Sequence, residues 1–383
     1  MKGLFRRPVF TGFGPNGLHP GLQVALMQLR GSRPGKLRAG VREHGPRTPG
    51  VYGMIDAQGE LIYVGKAKCL RSRLMSYFRP NSRDPKAGRI LQATRRLVWE
   101  ECSSEFAALL HELELIRRWQ PRFNVQGQPL RRRRVYLCVG RRPAPYVFTA
   151  PRPPRTAAAI FGPVPAGRRT AEAVRRINDW FRLRDCPQSQ EMVFADQQEL
   201  FPVLRSAGCL RHEIGNCLGP CAAACTRTDY STHVAAAVAF LAGRDSSPLR
   251  MVEREMIEAA RRLEYERAAV LRDRLDVLAW LCGRLDHLRQ CTQESFVYPV
   301  MGHGGKELWY LIRGGRVRGV CAPGDPVALA KVYGTKAPAA GPPGVDEMDR
   351  VLLVAAWFRR HREERSRTLT PEAAQELLRP TSY

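Results

Sequence analysis

The stretch LIYVGKAKCLRSRLMSYF, residues 61–78, decides how the chain folds. Its Gly65-Lys66 pair invites comparison with a phosphate loop. Such a loop needs Gly-x-x-x-x-Gly-Lys-Ser/Thr, because backbone amides cradle the phosphates and a hydroxyl follows the lysine. Here Glu60 stands five positions before Gly65 and Ala67 follows Lys66, so the comparison fails. Working outward, GVYGMIDAQGELIYVG (50–65) alternates apolar residues around a polar DAQGE turn and predicts a β-hairpin. Residues 67–78 then read as a helix with an apolar stripe of Leu70, Leu74, Tyr77 and Phe78. A polar loop over 79–88, a strand over 96–101 and a helix over 104–119 follow, the helix N-capped by Ser104 and stopped by Pro121. Its stripe is Phe106, Leu109, Leu110, Leu113 and Ile116.

The rest of the chain is read against its charge. The chain has 383 residues, 44% of them apolar, and a formal net charge of +26. That excess is not needed to fold, and it points to a polyanionic partner, most simply nucleic acid. No apolar run approaches the ~20 residues of a membrane span, and the longest candidate, 234–242, is short and mostly alanine. No membrane association is expected. The first forty residues hold no Asp or Glu and are rich in Gly, Pro and Arg, so 1–46 reads as a basic arm without order. Eleven cysteines with no secretory signal before them imply a reducing, cytoplasmic setting, where clustered cysteines bind metal more often than they form disulfides.

The expected fold class is α+β, in five segments: the arm 1–46, a small αβ domain 47–126, a basic and cysteine-rich middle region 127–230, a helical hairpin 231–290 and a truncated αβ region with a linker and basic tail, 291–383. Short strands are read at VYLCVG (135–140) and PYVFTA (145–150), and a basic helix follows FGPVPAGRR. The hairpin breaks near Glu264–Tyr265. After Cys291 the chain turns β-like, and the Pro/Gly/Ala linker APAAGPPG precedes a last helix.

The first αβ domain holds residues suited to phosphodiester cleavage. That chemistry needs a base for water, a metal ligand and a cation for the developing charge. An arginine fork can hold two phosphate oxygens, and a carboxylate can hold Mg²⁺. A tyrosine, with a pKa near ~10, serves as a base only where cations lower that value. Lys66, three residues from Tyr63, is placed to help. Helical periodicity does not choose the carboxylate, since Glu112 and Glu114 each fall about 40° outside the apolar stripe, on opposite sides.

GVY, eight intervening residues and LIYVGKAKCLRSRLMSYF together resemble the GIY-YIG nuclease domain, in the version of the UvrC excinuclease family. SEFAALLHELELIRRWQPRFN (104–124) is similar to that family's Ser-Glu helix and Pro-x-Tyr-Asn end, with Phe123 where the tyrosine usually stands. The resemblance implies that Tyr52 and Tyr63 are the two motif tyrosines, one of them the general base. It implies that Lys66 follows the second motif, that Arg73 contacts the scissile phosphate, that Glu112 holds Mg²⁺ or Mn²⁺, and that Asn124 closes the site.

Cys186, Cys209, Cys217 and Cys221 are separated by 22, 7 and 3 residues, and Cys225 follows after three more. By spacing alone, buried free thiols and a metal site are equally open. FRLRDC and GCLRHEIGNCLGPC resemble the UvrC middle region, which implies a [4Fe–4S] cluster on the first four, with Zn²⁺ as the alternative and Cys225 as a spare ligand. VEREMIEAARRLEYERAAVLRDRL (252–275) resembles the UVR motif, a hairpin that docks on a UvrB-like protein. Met251, Met256, Leu263, Leu271 and Leu275 are the candidate contacts, because an isolated two-helix hairpin cannot bury all its apolar residues.

The implied activity is a single metal-dependent incision in damaged duplex DNA during nucleotide excision repair, on the 3′ side. The chain ends before a second nuclease and a helix-hairpin-helix DNA binder could be complete. A non-catalytic adaptor binding DNA and the UvrB-like protein is the alternative. A nuclease of branched or mobile-element DNA is a third reading, which the cysteine and hairpin regions oppose.

Overall fold

The structure is a computed structural model describing residues 9–16, 18, 26–31, 33–79, 85–124, 134–140, 142–187, 189–197, 209–334 and 344–377. The chain divides into two compact units, one of Met1–Arg131, Cys291–Pro338 and Asp349–Tyr383, the other of Arg132–Gln290 and Ala339–Met348.

In the first unit, β1 (Met27–Arg30) leads into α1 (Pro34–His44), then β2 (Gly50–Ile55), β3 (Leu61–Ala67), α2 (Leu70–Ser76), α3 (Pro85–Ala93), β4 (Arg96–Glu101) and α4 (Glu105–Trp119). The strands form one sheet in the order β1-β4-β2-β3. The hairpin expected from 50–65 is β2 paired antiparallel with β3. Its turn is set by Asp56, whose Oδ1 accepts the Gln58 and Glu60 N–H groups at 3.0 Å each, and by Gly59 at φ +80°. β2 is central, so all six of its residues are buried. Val51 and Ile55 enter one core, and Tyr52 and Met54 enter the other.

Three expectations change here. The arm is ordered where it is described: Phe10 and Phe13 are buried in the core that holds α4, Leu37 and Val41 of α1 are buried on the opposite face, and β1 pairs with β4. Burying each phenylalanine is worth about 1.5–3 kcal/mol, which offsets the ordering cost that a Gly- and Pro-rich composition suggests would go unmet. The helix after the hairpin starts at Leu70 rather than Ala67, because Ala67 still pairs with Gly50. The loop expected over 79–88 contains the start of α3, whose opening proline is compatible with a first helical turn.

In the second unit, β5 (Arg134–Val139), β6 (Val147–Ala150) and β7 (Ala159–Pro165) form a sheet in the order β6-β5-β7. β7 takes in the FGPVP stretch ahead of the basic helix, where no strand is read from the sequence. α5 (Arg168–Trp180) follows, its Asn178 bonded to both the N–H and the carbonyl of Val147, at 3.0 and 2.8 Å. Then come α6 (Leu210–Glu213), α7 (Arg227–Leu241) with a Thr226/Asp229 capping box, α8 (Ser247–Arg261) and α9 (Tyr265–Gln293). The hairpin turn is made by Leu263 at φ +63°, next to the expected break.

The chain re-enters the first unit with β8 (Phe296–Met301), β9 (Glu307–Arg313) and β10 (Arg316–Cys321), an antiparallel sheet, followed by α10 (Pro326–Tyr333), α11 (Val345–Arg360), α12 (Arg362–Arg365) and α13 (Pro371–Glu376). This region packs on α4. Phe106 stacks on Tyr298 and Tyr310 with ring centroids 5.2 Å away in each case, and on Trp357 at 5.5 Å. Arg117 pairs with Asp349 at 2.8 Å. Helix α4 is therefore covered on two sides, so its buried set gains Ala107, Ala108, His111 and Leu115 while Leu109 and Leu113 of the expected stripe are only partly buried. Ser104 caps α4 as expected, accepting the Ala107 N–H at 3.1 Å.

Candidate active site

β3 is an edge strand, so alternate backbone groups of residues 62–66 face away from β2 and need other partners. Two side chains and one loop amide supply them. The Ile62 carbonyl accepts the Phe123 N–H at 3.0 Å. The Asn124 amide takes both groups of Val64, accepting its N–H at 2.9 Å and donating to its carbonyl at 2.8 Å. Glu112 Oε1 accepts the Lys66 N–H at 3.0 Å. Periodicity leaves Glu112 and Glu114 equal. The fold separates them, since Glu114 lies 3.3 Å from Arg350 on α11 while Glu112 is tied to the hairpin.

On the other side of β3, three tyrosines meet. The Tyr52 and Tyr77 hydroxyls are 2.9 Å apart, and the ring centroids of Tyr52, Tyr63 and Tyr77 lie 6.1–6.4 Å from one another. Arg73 Nε donates to the Tyr52 hydroxyl at 3.1 Å, and its guanidinium stands over the Tyr77 ring, 5.2 Å from the centroid. The Nε bond leaves the two Nη groups of this exposed side chain without a hydrogen-bond partner among the described residues. Burial pushes the Glu112 carboxyl up to about 7, against the pull of the Lys66 charge, the Lys66 N–H and the Arg73 charge. Burial also pushes Tyr52 and Tyr63 well above the ordinary tyrosine value, Arg73 only partly countering it. The carboxylate, the guanidinium and the tyrosines thus feel one another within one site.

Gly65 answers the question raised by the Gly-Lys pair. A Cβ there would come within 2.5 Å of the Tyr52 ring Cζ and hydroxyl. The glycine exists to let Tyr52 lie across β3, and has no part in binding a phosphate loop. Gly65→Ala is expected to displace Tyr52 and break its bond to Arg73. The phosphodiester cleavage that the sequence resemblance implies should fall about 10²-fold while the melting midpoint drops only a few degrees, measured by nicking rate and thermal unfolding.

The sequence-expected set Tyr52, Tyr63, Lys66, Arg73 and Glu112 is brought together. Lys66 Nζ is bonded to Glu105 at 2.7 Å, its backbone N–H is bonded to Glu112, and its charge also pulls on the Glu112 carboxyl. Asn124 is buried with both amide atoms committed to Val64, so it positions β3. Tyr77 reads in sequence only as part of an apolar stripe. Its place four residues after Arg73, on the same helical face, is the available sign that its hydroxyl belongs to the site.

In the second unit, Cys186, Cys209, Cys217 and Cys221 line one cavity of about 90 Å³ with Arg184, Arg211 and His212. Arg184 Nη1 donates to Cys186 Sγ at 3.4 Å, and burial raises the Cys217 and Cys221 thiols. Cys225 is buried outside the lining. Among the described residues no group of three or more His, Cys, Asp or Glu is gathered closely enough to hold a metal ion. On the hairpin, Met251 is 42% and Leu263 69% exposed, and Met256 and Leu275 are partly buried. Leu271 is buried against Val252 and Ala259, so it holds the two helices together. Ile257, Tyr265 and Val270 are exposed on the same hairpin and lie outside the expected contact set. No described helix is long and apolar enough to cross a membrane.

Comparison with known families follows the same order as the fold. Residues 48–125 match the UvrC-like GIY-YIG domain, 135–240 the UvrC/Cho excinuclease middle domain, and 247–279 the UvrB/uvrC motif. The chain belongs to the UvrC family. The UvrABC system protein C of Desulforudis audaxviator is 33% identical over 279 residues, covering 72% of this chain and 43% of that protein. The Methylobacillus flagellatus protein of the same name is 35% identical over 252 residues, covering 66% and 38%. The chain thus spans about two-fifths of the length of these UvrC relatives. A solved structure described as the GIY-YIG N-terminal endonuclease domain of UvrC from Thermotoga maritima, bound to its catalytic divalent cation magnesium, is 36% identical and covers 24% of this chain and 97% of that one, with a TM-score of 0.22.

Proposed function

We propose that this UvrC family member is a metal-dependent endonuclease that makes one incision in damaged duplex DNA, on the 3′ side, in nucleotide excision repair. The observation that carries the reading is the Glu112 carboxylate pinned to β3 beside an arginine hooked to Tyr52. A carboxyl raised to about 7 by burial gains from a cation, which removes the cost of its buried charge, so the residue suits Mg²⁺ or Mn²⁺. Bound there, the cation would polarise the phosphate and stabilise developing charge. Arg73, held at Nε, offers its unpartnered Nη groups to a phosphodiester. Tyr52 is fully buried with its hydroxyl shared between Tyr77 and Arg73, so it orients the arginine. Tyr63 is only half-buried, so of the two motif tyrosines it is the one open to a water; burial and the Glu112 charge hold its hydroxyl above the ordinary tyrosine value, and it would serve as base only with a cation at Glu112 to lower it. The test is strand nicking of a damaged duplex with Mg²⁺, with EDTA and with Mn²⁺, each with and without a UvrB-like protein. Tight damage binding with no nicking under any of these conditions would favour the adaptor reading.

The exposed apolar side chains of α8, α9 and their turn support docking of a UvrB-like protein on the hairpin. We further propose a [4Fe–4S] cluster, with Zn²⁺ as the alternative, at Cys186, Cys209, Cys217 and Cys221, whose thiols line one cavity and would have to draw closer together to hold it. Four thiols around one cavity support it, as does Arg184, which donates to Cys186 Sγ and whose charge would offset an anionic cluster. Protein purified without oxygen is expected to contain close to stoichiometric iron and acid-labile sulfide, and Cys217→Ser to lose both. Zinc alone would replace the cluster in this account, and absence of both metals would remove it.

A further inference from the structure

The turn end of the β2–β3 hairpin, remote from Glu112, holds a second concentration of positive charge. Arg30 ends β1 and Arg96 opens β4, and the two are direct cross-strand partners. Opposed residues in an antiparallel pair share a face, and like charges placed there destabilise the sheet. Arg95 precedes Arg96. These three arginines, Gly31 and the turn residues Asp56 to Gly59 line an open pocket of about 460 Å³. No hydrogen bond or ion pair joins the side chain of Arg30 or Arg96 to another described residue. Arg95 uses only Nη1, on the carbonyls of Gln92 and Thr94.

The one acid in the pocket does not neutralise them. Asp56 is buried, accepts the Gln58 and Glu60 N–H groups on Oδ1 and pairs with Arg122 through Oδ2 at 3.0 Å. The frame is rigid: Arg95 N–H donates to the Ile55 carbonyl at 2.8 Å, Gly31 N–H to the Arg95 carbonyl at 3.0 Å, and Phe10 N–H to the Gly59 carbonyl at 2.9 Å. A sheet that keeps two unpaired arginines opposed on a fixed frame is built for an anion between them. Arginine forks favour phosphate.

We propose that this pocket is a second phosphate site, taking a backbone phosphodiester of the DNA that is cut at Glu112. The identity of the polyanion rests on the nuclease reading above, and the geometry of the pocket does not. Glu60, whose carbonyl closes the turn by accepting the Asp56 N–H, and Lys66 are six residues apart along the chain, about 20 Å at ~3.3 Å per residue. That span corresponds to about six base pairs of duplex. The pocket therefore fixes how the duplex lies across the sheet, on one side of the cut.

The experiment is the double variant Arg30→Ala/Arg96→Ala in the full chain, against Arg30→Lys/Arg96→Lys. With a labelled duplex we expect about tenfold weaker binding for the alanine pair, and a plot of log affinity against log salt shallower by about one to two. The lysine pair should retain most of the affinity, and the nicking rate at saturating DNA should be unchanged. Without DNA the alanine pair should melt no lower than the parent, because it removes a like-charge opposition. Duplexes cut back to fewer than about six base pairs on one side should abolish the difference between parent and variant, and cut back on the other should not. Unchanged affinity and salt slope would overturn the site. Inorganic phosphate that raises the parent's melting midpoint, with no change in duplex binding by the variant, would make it a free-anion site and overturn the DNA assignment. A chain that never nicks but shows the expected binding losses would refute the nuclease reading and leave this site standing.

Discussion

Glu112→Gln is expected to reduce Mg²⁺-dependent nicking by about 10³-fold or more while duplex affinity stays within about twofold. Glutamine keeps an oxygen that can accept the Lys66 N–H bond, so β3 and α4 stay in place and only the charge is lost. Arg73→Ala should cost about 10²–10³ in rate, because the phosphate loses its fork and the Tyr52 hydroxyl loses its partner. Arg73→Lys should rescue little, since an ammonium lacks the planar fork that bonds Tyr52 through Nε and leaves two Nη groups to take a phosphate as a pair. Unchanged nicking in either single variant would remove that residue from the chemistry. The pH profile reads the same side chain. The carboxyl is raised to about 7 by burial, so below that pH a proton competes for the cation. Apparent Mg²⁺ affinity should weaken about tenfold per unit below pH ~7 and level off above it. An affinity flat with pH down to ~5 would contradict the buried placement of this carboxyl.

Phe106→Ala is expected to be the most destabilising single substitution in the first unit, at about 3–5 kcal/mol. The ring is 1% exposed and meets Tyr298, Tyr310, Trp357 and Phe358, with centroids 5.2 to 6.1 Å away. Removing it opens a void between α4 and the β8–β10 sheet. The melting midpoint should fall by roughly 10 °C. Nicking should be lost on warming before it is lost on cooling, because Glu112 rides on the same helix. A midpoint shift below ~2 °C would show that the C-terminal sheet does not brace α4. Phe106→Leu should recover most of the loss, since it refills the greater part of the volume.

The local pattern was legible because it depends on neighbours in the chain. Alternation over 50–65 located β2 and β3, and a serine before an apolar run located the cap of α4. The hairpin break was visible where a helical pattern stumbles near residue 264. Composition, by contrast, misled at the N-terminus. Phe10 and Phe13 sit in a Gly- and Pro-rich stretch whose own propensity is low, and their order comes from a core built by residues far along the chain. The wide burial of α4 could not be read either, because its second partner lies at Phe296–Tyr310 and Trp357.

By itself the sequence determined which residue types were available: tyrosines on two adjacent strands, an arginine one helical turn on, and two glutamates on a later helix. Periodicity left those glutamates equal and the family resemblance pointed to Glu112; tertiary structure gives the two different surroundings, because an edge strand leaves the Lys66 N–H open to the Glu112 carboxylate and the docked α11 brings Arg350 to Glu114. It also turned Asn124 into a clamp on Val64 and drew Tyr77 out of an apolar stripe into the site. Each of these choices depends on which backbone groups lack a partner once the sheet has formed, and a linear pattern holds no record of that.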